Sequence, residues 1–170
     1  MRLDIVPFRP EHAAELDLRP LDSLGLTGAV CGGDPLRLGR VYAAGGPAFT
    51  GLVDGRPVAC AGIVLGAPGV GDGWALTGVE VPHFALSFCR AFSRMLPALM
   101  AEWHLVRVQA LVLEEHATSR RWLERLGFEC EGLLRRFSGG RNYYIYARLS
   151  DGLSNVDGGG ASGRIHRDAG

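Results

Sequence analysis

The stretch SRRWLERLGFECEG, from Ser119 to Gly132, contains the junction that decides the fold. Its first part is an amphipathic helix by its spacing of apolar residues. Gly127 then stands where a helix can end, because glycine adopts the left-handed C-cap conformation without a steric penalty. Phe128 follows as the first residue of a run with strand composition. The sequence therefore predicts a helix that ends at Gly127 and leads directly into a strand, with Phe128 packed in the core.

Working outward from this junction, helical and strand patterns alternate along the chain. Asp54-Gly55, a favoured tight-turn dipeptide, predicts a β-hairpin between two β-type runs. Pro97 interrupts the long helical pattern and predicts a kink there or a join between two helices. The predicted strands are 2–8, 48–54, 56–66, 74–81, 105–115, 128–137 and 143–149, and the predicted helices are 9–18, 19–26, 35–45, 83–103 and 117–126.

This order predicts an α+β fold with a mixed, mostly antiparallel central sheet of about seven strands flanked by helices. One domain is expected over residues 1–149. Residues 150–170 are rich in Gly and Ser and show no periodicity, which is typical of a flexible C-terminal tail. We expect this tail to serve as an arm for protein partners.

Composition excludes several classes of function. Eighteen basic and eighteen acidic residues cancel, so the charge expected of a nucleic-acid binder is missing. Apolar runs are too short to span a bilayer, and the four cysteines form no CxxC pair that would predict a metal site. The expected location at synthesis is the cytoplasm.

The element order and the stretch SRRWLERLGFECEG resemble the GNAT (N-acetyltransferase) superfamily. This resemblance implies an acetyl-CoA-dependent N-acyltransferase with coenzyme A bound at the loop before the long helix. That loop normally reads Arg/Gln-x-x-Gly-x-Gly/Ala, whereas this chain has HFALSF from His83 to Phe88. The family's usual tyrosine acid is replaced by Leu123.

The resemblance also indicates candidate catalytic residues. Glu80 falls on the predicted fourth strand, where the family often places a general base, or it is an outward-facing strand carboxylate. His116 falls near the start of the helix before Gly127, as an acid or as a helix cap. Three nearby tyrosines could supply a phenol, although strand spacing favours packing: Tyr143, Tyr144 and Tyr146.

Candidate cofactor contacts lie between the fourth strand and the long helix. The strand backbone at Val79 and Val81 would hold the pantetheine arm of acetyl-CoA. His83 would lie beside the helix N-terminus, where an anion binds weakly.

The layout further resembles a phage-encoded subgroup of GNAT-like proteins that includes an internal virion or assembly protein. Membership implies a non-catalytic role in a phage or prophage particle, with the tail contacting virion components. The missing phosphate loop and tyrosine favour this interpretation. The alternative is an acetyl-CoA-dependent N-acyltransferase acting on an unidentified amine.

Overall fold

The computed structural model describes residues 3–22 and 33–150 of the chain. The predicted tail from residue 151 onward and the second half of the predicted helix 19–26 lie outside these residues. The strands are β1 (Leu3–Pro7), β2 (Ala48–Val53), β3 (Arg56–Leu65), β4 (Val70–Thr77), β5 (Arg107–Leu113), β6 (Glu129–Ser138) and β7 (Arg141–Leu149). The helices are α1 (Pro10–Glu15), α2 (Pro35–Gly45), α3 (Ala85–Glu102) and α4 (Ala117–Arg125), with a 3-10 turn at Val81–Phe84.

The strands form one seven-stranded sheet in the order β1-β2-β3-β4-β5-β7-β6. Neighbouring strands are antiparallel except for β4 and β5, which run parallel because α3 connects them. The prediction of a mixed, mostly antiparallel sheet flanked by helices is confirmed. The hairpin prediction is also confirmed, since Asp54 and Gly55 join β2 to β3 with positive φ angles of 49° and 78°.

The junction at Gly127 forms a complete Schellman cap. Gly127 has a φ of 80°, and its amide donates to the Glu124 carbonyl at 3.1 Å. The Phe128 amide donates to the Leu123 carbonyl at 3.0 Å. These two bonds satisfy carbonyls that the end of α4 would leave unpaired. Phe128 is buried in the core at the start of β6, as the sequence predicts.

Helices cover the two faces of the sheet unevenly. The larger core cluster packs α3 and α4 on one face, and the smaller cluster packs α1 and α2 on the other. Strand β3 serves both, because Ala59 and Ala61 belong to the first cluster and Cys60 to the second. Helix α3 continues through Pro97 as one helix, so of the two predicted alternatives, a kink or a join between two helices, the join is wrong.

Strand β4 differs from its predicted bounds at both ends. It begins at Val70, within a glycine-rich segment that the sequence marks as a loop, and ends at Thr77. Pairing with β3 extends the strand at its start, where Gly71 lies opposite Leu65. At its end the chain turns after Gly78 and enters the 3-10 turn. Tertiary pairing has therefore moved the strand by four residues relative to its local pattern.

Gly51 on β2 makes room for Phe88 of α3. A Cβ atom at Gly51 would lie 2.3 Å from the Phe88 ring, which is itself buried against Phe92. We expect Gly51→Ala to lower the unfolding free energy by about 1–3 kcal/mol, because the buried ring has to shift. Urea denaturation measures this loss.

Gly132→Ala on β6 is the matched control, since no heavy atom lies within 4 Å of its added Cβ. We expect this variant to stay within about 1 kcal/mol of the parent. Equal losses in the two variants would contradict the assignment of the Gly51 effect to contact with Phe88.

A buried polar chain runs from α1 into the sheet. His12 Nδ1 lies 2.8 Å from Thr50 Oγ1, which in turn lies 3.5 Å from Cys60 Sγ. Burial raises the pKa of the Cys60 thiol to about 12, so this thiol is not a nucleophile at neutral pH. The group resembles a catalytic triad in composition but serves to satisfy polar atoms inside the core.

Burial, followed by the charge of Arg9, lowers the pKa of His12. Below about pH 6.5 the unfolded chain therefore takes up a proton that the folded protein does not bind. We expect the unfolding free energy to fall as the pH drops below about 6.5, and His12→Asn to flatten this dependence. Urea denaturation between pH 8 and pH 5 measures both slopes.

His104→Asn is the control for His12, because His104 is exposed and its φ of 51° suits asparagine. Its pH dependence should match that of the parent. Identical slopes in the parent and the His12 variant would show that another group controls acid stability.

Candidate functional site

The candidate site lies where β4 and β5 separate. Pairing between these strands is limited to Val70–Arg107, Gly71–Val108 and Asp72–Gln109. Beyond Asp72 the two parallel strands diverge toward their carboxyl ends. A cleft of about 470 Å³ opens there and reaches both faces of the sheet. Its lining includes Phe92 on the α3 side and Tyr42 on the α2 side.

A network of polar side chains stabilises the narrow end of the cleft, where β4 and β5 still pair. Arg107 forms a two-pronged ion pair with Glu131 on β6, and its Nε donates to Gln109 Oε1 at 3.0 Å. Gln109 Nε2 donates to Asp72 Oδ1 at 2.8 Å. These contacts join three strands across the point at which β4 leaves β5.

Only a short part of the β4 edge is open toward the cleft. The Gly78 amide donates to Val58 at 2.9 Å, so even-numbered residues of β4 direct their backbone groups at β3. Odd-numbered residues face the β5 side. The segment from Asp17 to Arg19 occupies the far end of that edge through two backbone hydrogen bonds. The Val79 amide donates to the Asp17 carbonyl, and the Arg19 amide donates to the Thr77 carbonyl. The Gly73 carbonyl and the backbone groups of Ala75 remain along the cleft, whereas the Gly73 amide completes the last pairing with Gln109.

The predicted cofactor contacts do not lie on this open edge. Val79 is exposed, and its amide donates to the Asp17 carbonyl at 2.8 Å. The Val81 amide donates to the Gly78 carbonyl at 3.2 Å, and the Val81 side chain packs against the main core. His83 is exposed in the 3-10 turn, edge-on to Phe84.

Glu80 does not lie on the fourth strand, so its predicted placement is wrong. The strand ends at Thr77 because the chain turns immediately afterwards, and the Val81 amide donates back to the Gly78 carbonyl at 3.2 Å. Glu80 is an exposed residue of that turn, and it does not line the cleft. Its proposed role as a base stays a prediction.

His116 lies at the wide end of the cleft, just after β5, where it caps α4. Its Nδ1 accepts a hydrogen bond from the Ser119 amide at 3.3 Å. Its Nε2 lies 3.5 Å from Asp22 Oδ2 and 3.4 Å from Ser119 Oγ. His116 is buried, and all three residues line the cleft. The predicted cap and a titratable group facing the cleft are therefore combined in one side chain.

Asp22 joins the two diverging strands at their carboxyl ends. Its Oδ1 accepts hydrogen bonds from the Thr77 amide at 3.2 Å and the Thr77 hydroxyl at 3.0 Å. Its Oδ2 accepts from Arg19 Nε at 3.0 Å and faces His116. Burial opposes ionisation of Asp22, but the hydrogen bond with His116, the charge of Arg19 and the hydrogen bond from the Thr77 hydroxyl outweigh it and lower its pKa.

Sequence reasoning did not identify Asp22 as a site residue. It precedes His116 by 94 positions, and no local pattern marks it, since Asp is ordinary in the first turn after Pro20. The tertiary fold brings the two side chains together. Thr77 and Ser119 were missed for the same reason.

At the position of the family's tyrosine acid, this chain has a leucine that packs in the core. Leu123 is buried among α3 and α4 side chains. Tyr146 is fully buried, and its hydroxyl donates to Glu124 at 3.1 Å and accepts from Arg120. Of the three tyrosines on β7, Tyr143 lines the cleft. One turn before Leu123, Ser119 lines it too.

The start of α3 likewise differs from a glycine-rich phosphate loop. Leu86, at the place of the first loop glycine, is 67% exposed. Phe88, at the place of the second, is buried and stacks on Phe92 with ring centroids 5.1 Å apart. Side chains therefore occupy positions at which bare backbone would approach a phosphate.

Comparison with solved structures shows the fold. A GNAT-family acetyltransferase from Bacillus anthracis is 18% identical, with a TM-score of 0.65 over 88% of this chain and 95% of its own. Ard1 from Thermoplasma volcanium is 15% identical, with a TM-score of 0.69 over 88% and 99%. RimJ from Mycobacterium smegmatis, in complex with CoA-disulfide, is 20% identical, with a TM-score of 0.62 over 90% and 84%.

No protein-family model matches the sequence, and no curated protein matches it significantly. Among the described residues, no helix is long and apolar enough to cross a membrane. The structural neighbours named above include acetyltransferases and give no support to the predicted phage or virion subgroup. The chain has the fold of the GNAT acetyltransferases.

Asp22→Asn tests the link between the strands. We expect a loss of about 1–3 kcal/mol in unfolding free energy at pH 7, because the amide cannot replace both carboxylate oxygens. Since folding lowers the pKa of Asp22, the carboxylate stabilises the protein above about pH 4, and the difference should shrink as the pH falls below that.

The exposed Asp17, which contributes its backbone carbonyl to the same segment, supplies the control Asp17→Asn. Denaturation at pH 7 and pH 3 compares the two variants. An equal effect of both changes, or a loss at Asp22 that does not depend on pH, would contradict the assigned role.

Proposed function

We propose that this protein is an N-acyltransferase that transfers an acetyl group from a thioester, as in acetyl-CoA, to an amine. The observation that carries the proposal is the cleft at the parallel β4–β5 divergence, with Asp22 and His116 at its wide end. The GNAT fold supports it. It replaces the non-catalytic virion role, which the departures from the family motifs had favoured.

The cleft fits the thioester end of the donor better than its phosphates. The Gly73 carbonyl and the backbone groups of Ala75 face the β5 side where β5 no longer pairs, and an extended pantetheine arm has amide groups that can hydrogen-bond there. When bound, acetyl-CoA supplies the activated acyl group. At the phosphate end, Leu86 and Phe88 replace the glycines, so we expect weak coenzyme A binding.

His116 is the residue we assign to proton removal from the acceptor. An amine is protonated at neutral pH and attacks a thioester only after it loses that proton. The new C–N bond then replaces the C–S bond, and the leaving thiolate takes up a proton to become the free thiol. Neutral His116 takes the proton, and the Asp22 carboxylate beside Nε2 stabilises the resulting imidazolium. The proton is accepted at Nδ1, which gives up the 3.3 Å hydrogen bond from the Ser119 amide. The Arg19 guanidinium, 3.5 Å from Nε2, also opposes the new charge, so this role requires the Asp22 carboxylate to outweigh both effects. Asp22 itself is a weak base because its pKa is lowered.

The test is release of free thiol from acetyl-CoA in the presence of a panel of primary amines. His116→Asn keeps a side-chain oxygen for the helix cap but cannot accept a proton. We expect kcat to fall by about 100-fold or more at neutral pH, and to recover in part at a high pH at which the acceptor amine is itself unprotonated. The melting temperature of this variant checks that the fold is retained.

Glu80→Gln is the matched control, because Glu80 is the other candidate base and is exposed outside the cleft. We expect its kcat to stay within twofold of the parent. A large loss in Glu80→Gln with full activity in His116→Asn would reverse the assignment. Absence of both acetyl-CoA binding by calorimetry and transfer to any amine would overturn the proposed function.

A further inference from the structure

We propose that the acceptor is a primary amine carried on an apolar, aromatic body, such as an arylalkylamine, bound in the half of the cleft on the α2 side. The inference deepens the proposed function and rests on it for the chemical step. It depends on three features of that half: its aromatic walls, its exposed apolar floor and the pairing of its carboxylates.

The first wall is an aromatic stack beside the open edge of β4. The rings of Tyr42 on α2 and Trp74 on β4 lie parallel, with centroids 3.9 Å apart and planes 9° apart. Phe8 packs edge-on against Trp74 at 5.3 Å. Both stacked residues line the cleft and are held by neighbours, so the wall is rigid before any ligand arrives.

The second wall comes from the β6–β7 hairpin. The register of these strands shifts between Leu134 and Ser138, and Arg136 has a φ of 53°. Such a bulge redirects a side chain, and here Phe137 packs edge-on against Tyr143 with centroids 5.7 Å apart. Phe137 lines the cleft yet is 53% exposed, so a large apolar surface faces the opening.

The floor between the walls is apolar. Because Asp72 pairs with Gln109, alternation along both strands places Trp74 on the same face as Leu111 and Leu113. Leu111 lines the cleft and is 43% exposed. Helices α1 and α2 pack over β3 and β4 on this face. An apolar ligand would therefore remove exposed side chains of the floor and of Phe137 from water.

The charged groups of the lining argue against a polycationic acceptor. The carboxylates that line the cleft among the described residues are Asp22 and Asp72. Asp22 accepts hydrogen bonds from Thr77 and Arg19, and Asp72 accepts from Gln109. A polyamine or aminoglycoside carries several ammonium groups, each of which needs a carboxylate or comparable partner on desolvation. A ligand with one amine on an apolar body requires only one such polar partner, near His116.

The experiment compares 2-phenylethylamine, spermidine and a short peptide with a free N-terminus. Binding of each to the full chain is measured by calorimetry without donor, and transfer is measured with acetyl-CoA. We expect phenylethylamine to bind at least about tenfold more tightly than spermidine or the peptide, from burial of one aromatic ring. Its kcat/KM should exceed theirs by a similar factor.

Phe137→Ala and Leu111→Ala test the walls and floor, and Leu133→Ala is the matched control. Leu133 lies on the same strand as Phe137 and is 38% exposed, but it does not line the cleft. We expect the first two variants to raise the Kd for phenylethylamine by about fivefold or more with little change for spermidine, through loss of buried apolar area. Leu133→Ala should leave it unchanged.

The outcomes separate this inference from the proposed function. Phenylethylamine binding that depends on Phe137 without any acetyl transfer would support the acceptor site and count against the acyltransferase. Transfer to spermidine or the peptide in preference to phenylethylamine would support the acyltransferase and overturn the acceptor class. The acceptor class would also be overturned if phenylethylamine did not bind, or if Phe137→Ala, Leu111→Ala and Leu133→Ala had equal effects on its binding.

Discussion

The short parallel contact between β4 and β5 is the constraint on which the rest of the site depends. Three residue pairs hold the strands together, and the strands then separate toward their carboxyl ends. Parallel strands need a long crossover, which α3 supplies, and both ends of the connection are anchored in the main core. A polar network holds β4 and β5 together at the narrow end of the cleft; its members are Arg107, Gln109, Asp72 and Glu131. Because β4 and β5 separate while the sheet as a whole stays intact, a cleft forms through the middle of the sheet.

Asp22 closes the opposite end of the same cleft. It bonds to Thr77 at the end of β4 and faces His116 just beyond the end of β5. Such a buried carboxylate would be costly alone, but Arg19 and the Thr77 donors satisfy it. The same contacts that hold the strand ends at a fixed separation also set the electrostatic surroundings of the histidine. Stability and the proposed proton transfer therefore rely on one group of side chains.

The start of α3 shows how core packing has taken the place of phosphate contacts. Phe88 fills space that Gly51 leaves on β2 and stacks on Phe92. A glycine at position 88 would leave that space empty, at a cost in stability. The donor's thioester end has an open strand edge to bind, whereas its phosphates find side chains in place of bare backbone. The exposed aromatic and aliphatic residues on the α2 side give the other half of the cleft its apolar character.

Local sequence determined the elements whose geometry depends on neighbouring residues. Gly127 and Phe128 specify the helix end, Asp54-Gly55 specifies the hairpin, and apolar spacing specifies α3 and β5, so the fold class followed. Strand β4 was misplaced because its pairing with β3, rather than its own pattern, sets its bounds. Glu80 was consequently assigned to a strand that ends three residues earlier.

The candidate site was accessible from sequence only in part. His116 could be identified from its place before the α4 helix, but its partner Asp22 could not, since they are 94 positions apart and only the tertiary fold brings them to 3.5 Å. The cleft walls share this property, because Tyr42, Trp74 and Phe137 come from a helix, a strand and a bulge that are distant in the chain. The sequence alone thus determined the scaffold through short-range conformational preferences. Only the tertiary structure decided the site, because its distances are set by long-range packing and pairing.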